Sequence, residues 1–294
     1  MFLLVGFLRI EGLIGYFVVL DGFVPVKQKR QGCRKTGCVG KGCTFAMSTG
    51  IIPKSSQLFY SFFNLKSIMK TTVFNVIILD KSGSMSSIAR QAIDGVNETI
   101  GSIKSAQEKN PDQEHMVTLV AFCGCEMKTI YDNVPVAEVK TLTDKDYRPC
   151  CMTPLYDAVG MTITRVHALK SKNSESLALV TIITDGYENA SHEYSLAAIR
   201  SLIESYKEQG WQFTYIGADH DVESVAFSLS IQHTLQFDKT EAGTHAMFAN
   251  QCRSRDRWLD KMDRLKKKHG SLASPMASEE LRSVNKEGYF DDED

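Results

Sequence analysis

The feature that most constrains the fold is an apolar run, 73–79, that ends directly in an acidic, hydroxyl-rich turn. The run is rich in β-branched residues and nearly continuous in apolarity, which is typical of a strand buried on both faces of a parallel sheet. The turn that follows carries Asp80, Ser82 and Ser84. Apolar residues then recur every three or four positions, which predicts a helix that begins near Ser84 and ends before Pro111.

All the side-chain donor atoms in this turn are oxygens, from one carboxylate and two hydroxyls. Open α/β sheets bind their ligands at the carboxyl ends of parallel strands, which is where this turn lies. Hard divalent cations such as Mg²⁺ prefer oxygen ligands in octahedral geometry, and one short turn cannot complete that shell. If the turn binds a metal ion, other loops must contribute ligands.

Two later segments carry matching oxygen donors. Thr153 precedes Pro154, and because proline is favoured at the first position of a helix, Thr153 is predicted to be a helix N-cap. A second apolar run, 177–183, is followed closely by Asp185 and a turn glycine. If the two strands are neighbours, Asp185 lies beside Asp80. Each residue taken singly is an ordinary helix cap, but the coincidence of three oxygen-bearing loops favours a shared ion.

These residues resemble the metal-ion-dependent adhesion site of the von Willebrand factor A domain. The family pattern has Asp-x-Ser-x-Ser in a first loop, Thr in a second loop and Asp in a third. The matching positions here are Asp80, Ser82, Ser84, Thr153 and Asp185. The resemblance covers residues 71–239 and is closest to the bacterial stand-alone type of this family.

The alternation of apolar runs and helical stripes predicts a doubly wound α/β fold. We expect a six-stranded, mostly parallel sheet with one antiparallel edge strand and helices on both faces. Besides the two buried runs, the patterns predict strands at 115–122, 128–139, 211–216 and 233–237 and helices at 196–206 and 222–231. The strands at 115–122 and 128–139 are close enough to form a hairpin, which makes one of them the antiparallel edge. Asp219 or Asp221 is expected to cap the following helix, not to bind a second ion.

The resemblance implies which residues would bind the ion directly and which would act through water. Ser82, Ser84 and Thr153 would bind the ion directly, while Asp80 and Asp185 would act largely through bound waters and hydrogen bonds. Neutral direct ligands leave the charge of the cation less fully quenched, so an open coordination position can accept a carboxylate oxygen from a partner.

The expected function is therefore a non-enzymatic protein-binding module that uses Mg²⁺, with Mn²⁺ and Ca²⁺ left open. The expected partner is a protein that presents an Asp or Glu side chain. Bacterial stand-alone relatives often serve alongside ATPases of the AAA+ type or in stress-response assemblies, and the resemblance permits such a partner here.

The alternative from another class is a Mg²⁺-dependent phosphotransferase or phosphatase of the haloacid dehalogenase type. Such enzymes also carry an aspartate after their first strand. Their chemistry normally needs a second carboxylate two residues later, as general acid and base for the leaving group. That position is Ser82 here, which favours binding over catalysis.

The segments that flank the domain predict its boundaries. Residues 1–68 are basic and apolar but lack the features of a signal peptide. Our hypothesis is that Met69 is the biological start and that the preceding segment is a mistaken extension or a disordered leader. The alternative is a membrane anchor within residues 1–20. The remaining predicted regions are a domain at 69–239, a helix at 240–268 and a disordered acidic tail at 269–294.

Charge and cysteine content limit the other function classes. The net charge of −1 provides no field for nucleic acid, and neither a membrane partner nor secretion is expected, so the expected location is cytoplasmic. Of the eight cysteines, Cys123 and Cys125 close the second strand, and Cys150 and Cys151 precede Thr153. Both pairs therefore approach the rim of the predicted metal site. We expect free thiols, with a zinc or redox site made from the two pairs as the alternative.

Overall fold

The computed structural model describes residues 4–10, 13–19, 70–218 and 221–290, with side-chain surroundings for the last two ranges. The chain divides into two compact units, Met1–Phe59 and Tyr60–Asp294. In the first unit, β1 (Leu4–Ile10) and β2 (Leu13–Val19) pair as an antiparallel hairpin. The predictions for the rest of 1–68, and for Met69 as the start, lie outside the described residues.

The second unit contains the predicted α/β domain. Its elements in chain order are β3 (Thr71–Asp80), a 3₁₀ helix (Gly83–Ile88), α1 (Ala89–Lys109), β4 (Gln113–Cys123), β5 (Glu126–Pro135), a short 3₁₀ turn (Val136–Glu138), α2 (Leu155–Lys170), β6 (Ser176–Thr184), α3 (Leu196–Glu208), β7 (Gln212–Gly217), α4 (Val222–Ser228), β8 (His233–Gln236), α5 (Glu241–His269) and α6 (Pro275–Val284). Among the described residues, six of these strands form one sheet in the order β5-β4-β3-β6-β7-β8. Every pairing is parallel except that of β4 with β5, which confirms the predicted fold class.

Strand β3 lies at the centre of this sheet because its apolar residues serve two cores. Its residues are buried throughout, and successive side chains alternate between the two faces. Val76 and Ile78 belong to one cluster, with α2, α3 and α4, whereas Ile77 and Leu79 belong to another, with α1 and the start of α5. The helices therefore cover both faces of the sheet, as the nearly continuous apolar run predicted.

The register of the strands brings the site loops together. Leu79 pairs with Ile183 across β3 and β6, so the carboxyl ends of these two strands lie side by side. On the other side, Asp80 pairs with Phe122 of β4. The antiparallel edge strand β5 begins and ends earlier than predicted, at Glu126–Pro135 instead of 128–139, and its pairing with β4 contains register shifts.

The tail prediction was wrong for residues 275–284, which form α6 instead of a disordered stretch. Ser274 caps this helix by accepting a hydrogen bond from the Ala277 N–H, and Ala277 and Leu281 are buried. Trp258 of α5 anchors the end of the helix, since its Nε1 donates to Asn285 Oδ1 at 2.9 Å. The polar composition concealed two apolar residues four positions apart, which lie on one face of a helix.

Helix α5 agrees with the predicted helix at 240–268 and packs closely against α1. A Cβ on Gly95 of α1 would lie 1.9 Å from Cδ2 of Phe248, so the ring occupies the space that a larger residue would need.

Among the residues that the structure describes, no helix combines the length and apolarity needed to cross a membrane.

The expectation of free thiols was wrong for one cysteine pair. Cys125 and Cys151 form a disulfide across 26 residues of sequence, whereas Cys123, Cys150 and Cys252 are free. Tertiary structure makes the pairing possible, because the Gly124 N–H donates to the Met152 carbonyl at 2.7 Å and so joins the β4–β5 turn to the loop before α2.

Candidate metal centre

Asp80 forms the buried floor of the site at the carboxyl end of β3. Its side chain is fully buried, and both oxygens accept short hydrogen bonds, Oδ1 from the Ser82 N–H and Oδ2 from Thr184 Oγ1, each at 2.6 Å. Burial raises the pKa of Asp80 from 3.8 to about 6, although the hydrogen bonds from Thr184 and Ser82 act in the opposite direction. A carboxylate whose ionised form is disfavoured by burial is stabilised by a nearby cation.

The two serine hydroxyls continue the site from this floor to the surface. Ser82 Oγ lies 3.1 Å from Ser84 Oγ, and Ser84 Oγ donates to Asp185 Oδ1 at 2.6 Å. Ser82 and Asp185 are buried, whereas Ser84 is exposed. The first and third loops are thus joined by a direct side-chain contact, and the cluster opens to solvent at Ser84.

Thr153 reaches the same place from the loop before α2. Its N–H donates to Asn189 Oδ1 at 2.8 Å, and its carbonyl accepts from the Asn189 N–H at 3.1 Å. A Cβ placed on Gly186 would lie 3.9 Å from both Ser84 Oγ and Thr153 Oγ1, so the two hydroxyls flank the same small space beside this glycine. Thr153 and Ser84 therefore come together, although they are far apart in sequence.

The predicted capping role of Thr153 was wrong. Helix α2 begins at Leu155, and Pro154 occupies the N-cap position with a non-helical backbone. The ring of proline fixes φ but does not force the residue into the helix. Thr153 therefore stands one residue further from the helix than predicted, where Asn189 holds its backbone.

Asp185 carries an oxygen that is buried without a hydrogen bond. Its Oδ2 lies 2.8 Å from Lys239 Nζ, but the geometry is that of an ion pair and not of an aligned hydrogen bond. Lys239 follows β8 and is mostly buried at this contact. The ammonium of Lys239 is therefore already adjacent to this carboxylate.

Several residues that support the site were not predicted from the sequence. Thr184 directly precedes Asp185 and could have been found as a hydroxyl at the end of a buried strand. Asn189 and Lys239 have no comparable local signal, because their positions depend on contacts between distant loops. Tyr147 also supports the floor, since its Oη donates to the backbone carbonyl of Asp80 at 2.5 Å.

The loop that contains Asn189 is held by two carboxylates, that of buried Asp157 on α2 and that of half-buried Glu188 in the loop itself. Asp157 accepts hydrogen bonds from three consecutive backbone N–H groups, those of residues 192–194. Glu188 accepts from the Tyr156 and Ser191 N–H groups, at 2.9 and 2.7 Å. These contacts fix the third loop against the start of α2. The loop therefore holds Asn189 in place, and Asn189 in turn holds the backbone of Thr153.

The donor set fits a hard divalent cation. Three hydroxyls and two carboxylates converge from three loops, and oxygen donors of this kind suit Mg²⁺, Mn²⁺ or Ca²⁺.

The prediction for Asp221 as a helix cap is confirmed, because its Oδ1 accepts from the Ser224 N–H. Asp219 lies outside the described residues.

Comparisons with known proteins found similarity at the level of structure only. No family model matches the chain, and no curated protein matches it. Solved structures similar to it include a von Willebrand factor type A protein from Catenulispora acidiphila, at 13% identity and a TM-score of 0.44, covering 62% of this chain and 42% of that one. The SpRpn10 VWA domain shares 11% identity at a TM-score of 0.42, covering 60% of this chain and 94% of that one.

A third similar structure is the proximal thread matrix protein 1 from the mussel byssus with a zinc-occupied MIDAS motif. It shares 12% identity at a TM-score of 0.44, covering 64% of this chain and 46% of that chain. The present chain thus spans less than half the length of the first and third of these proteins. Among the described residues, the sheet order, the one antiparallel edge strand and the three converging loops agree with the resemblance found in the sequence.

Proposed function

We propose that this protein is a non-enzymatic, divalent-metal-dependent protein-binding module that coordinates an acidic side chain of its partner. The observation that carries the proposal is the convergence of Asp80, Ser82, Ser84, Thr153 and Asp185 at the carboxyl edge of the sheet. The cluster is buried except at Ser84, so an ion bound there would have one accessible side.

The contacts within the cluster support the division of ligands that the resemblance implies. Asp80 and Asp185 already accept hydrogen bonds from neighbouring amide or hydroxyl groups, which holds each carboxylate behind the hydroxyls. Ser82, Ser84 and Thr153 would then bind the ion directly. Because these ligands are neutral, the ion would retain positive charge to attract a carboxylate from outside.

Mg²⁺ is the proposed ion because the donors are all oxygens and because such sites keep several waters. Mn²⁺ and Ca²⁺ use the same donors and remain alternatives for the titration described below. The narrower proposals are a partner of the AAA+ ATPase or stress-response type and a cytoplasmic location, and both follow from the family resemblance and from the sequence alone.

The chemistry of the first loop supports binding over catalysis. A phosphotransferase of the haloacid dehalogenase type would need a carboxylate two residues after Asp80, where this protein has Ser82. The Oγ of Ser82 contacts Ser84 Oγ, and neither hydroxyl can replace a carboxylate as a general acid and base.

Metal binding is tested by thermal melting of the chelator-treated protein during titration with Mg²⁺. An ion that binds only the folded state stabilises it by about 2.7 kcal/mol at a hundredfold excess over the dissociation constant. Ser84→Ala should abolish most of this shift. Ser86→Ala is the matched control, since Ser86 is an exposed serine in the same 3₁₀ helix. A wild-type midpoint that does not respond to Mg²⁺, Mn²⁺ or Ca²⁺ would refute the metal site.

Partner binding is tested by retention of acidic peptides on the immobilised protein. Peptides that contain a single Asp or Glu should be retained with Mg²⁺ and released by EDTA, and their Asn or Gln counterparts should not be retained. Asp80→Ala should retain neither. Retention that is equal for acidic and amide peptides would show that the ion does not receive a carboxylate, even if the metal itself binds.

A further inference from the structure

A group of four cysteines lies beside the oxygen site and differs from it in chemistry. Cys123 and Cys125 stand at the end of β4 and in the β4–β5 turn, and Cys150 and Cys151 lie in the loop before α2. The sulfurs of Cys125, Cys150 and Cys151 all lie within 4.8 Å of one another. Cys123 Sγ is 3.3 Å from Cys150 Sγ, which adds a fourth sulfur to the group.

Three of these sulfurs are grouped closely enough to share one ion, and the fourth, Cys123 Sγ, contacts one of them. Zinc binds thiolate sulfur at about 2.3 Å in tetrahedral geometry, so two sulfurs on one ion are about 3.8 Å apart. The Cys123–Cys150 contact of 3.3 Å is shorter than this value, and the other three sulfurs lie within 4.8 Å of one another. To share one ion, the Cys125–Cys151 pair, bonded as a disulfide, must separate and Cys123 must move closer to these two sulfurs. Soft thiolates select Zn²⁺ over Mg²⁺, so the two sites would not compete for one ion.

The backbone around the sulfurs is already held in place. The Cys150 N–H donates to the Lys81 carbonyl at 2.8 Å, and the Cys151 carbonyl accepts from the Gly83 N–H at 3.0 Å. The Lys81 ammonium is almost buried in an ion pair with Glu126, beside the cysteine-bearing turn. Its positive charge lies where a thiolate cluster would add negative charge. Ligands on two distant segments are therefore presented together by contacts that do not depend on sulfur chemistry.

We propose that Cys123, Cys125, Cys150 and Cys151, when reduced, bind one zinc ion, and that the Cys125–Cys151 disulfide is the zinc-free, oxidised form of the same cluster. The interconversion is a two-electron step. A dithiol reductant transfers two electrons and two protons to the Cys125–Cys151 bond, which breaks to give two thiols, while the dithiol closes to its own disulfide. Zinc binding then displaces the thiol protons. The inference stands independently of the proposed function of the oxygen site.

The test uses the full chain. The protein is reduced with a dithiol, the reductant is removed under anaerobic conditions, and one equivalent of zinc is added. We expect one tightly held zinc ion per chain after gel filtration. Cys150→Ser should lose this zinc, whereas Cys252→Ser should keep it, because Cys252 lies on α5 against Thr99 and Gln251. Zinc that remains bound in Cys150→Ser at the wild-type level lies elsewhere, at the oxygen site or at other cysteines such as Cys33, Cys38 or Cys43, and overturns the proposal.

Cobalt substitution gives a readout on the wild-type protein itself. Co²⁺ added to the reduced wild-type protein should show thiolate charge-transfer bands and the intense visible bands of tetrahedral coordination. Ser84→Ala should keep these bands even where it loses the Mg²⁺ response, which separates the two sites. A reduced protein whose cobalt spectrum shows only weak octahedral bands has no thiolate site, and the proposal fails. Addition of a disulfide oxidant should release the metal as the thiols disappear.

Discussion

His115 provides the most direct test of how burial controls the stability of this fold. The imidazole is fully buried on β4, where Nε2 lies 3.0 Å from Gln113 Oε1 and Nδ1 lies 3.4 Å from Asn75 Nδ2. Asn75 Nδ2 can only donate, so these partners suit a neutral ring that donates from Nε2. Burial first, and the charge of Arg255 second, lower the pKa of His115 from 6.5 to about 4.

The sign of the effect follows from this lowered pKa. Below pH 6.5 the unfolded chain takes up a proton at His115, while the folded protein does not until pH falls to about 4. The stability that depends on a neutral ring is therefore present above pH 6.5 and is lost as pH falls. At about 1.4 kcal/mol per pKa unit, the total loss is about 3 kcal/mol, and most of it is reached by pH 4.5.

Asp80 acts in the opposite direction in the metal-free protein. Its pKa is raised to about 6, so acidification from pH 6 towards 3.8 protonates the folded state first and stabilises it by a similar amount, about 3 kcal/mol. The two groups therefore offset each other in the wild type. Substitution of His115 removes one of them and reveals the other.

The assay is urea denaturation of the EDTA-treated protein at pH 7 and pH 4.5. We compare how the free energy of unfolding changes from pH 7 to pH 4.5 in the two proteins. This change should be more positive in His115→Gln than in the wild type by about 2 to 3 kcal/mol, because the contributions of the other titrating groups are common to both proteins and cancel. His192→Gln, a substitution at the surface, is the matched control and should follow the wild type. If His115→Gln and the wild type change in parallel, the reasoning from burial is refuted.

Four further substitutions, one of them a control, test packing and charge. Gly95→Ala forces a Cβ against Phe248 and should lower the free energy of unfolding, measured by urea denaturation, by about 1 to 3 kcal/mol. Its control, Gly101→Ala, has open space around the new Cβ and should raise the free energy of unfolding by about 0.5 to 1 kcal/mol. Equal effects of the two substitutions would contradict the packing of α1 on α5. Leu281→Ala should cost about 2 to 5 kcal/mol if α6 is docked, and a negligible loss would show that it is not. Lys239→Met should raise Mg²⁺ affinity about fivefold in calorimetry, because it removes about 1 kcal/mol of repulsion, and an unchanged affinity would exclude this role.

Local patterns in the sequence predicted the elements that build the site edge. The runs at 73–79 and 177–183 predicted β3 and β6 because continuous apolarity is itself the signal of a strand buried on two faces. The same patterns placed Asp80 and Asp185 at the carboxyl ends of neighbouring strands. The helix that contains Leu281 was missed because its apolar face is short and lies within a polar composition.

The sequence by itself determined the fold class, the three loops and the oxygen donors that they carry, because each of these depends on residues close together along the chain. Only the tertiary structure decided how the loops meet. The Lys239 contact with Asp185, the support of Thr153 by Asn189 and the disulfide of Cys125 join segments that are distant in sequence. Their side-chain types carry no local signal of such pairing, since the pairing results from the register of the sheet and the path of the loops.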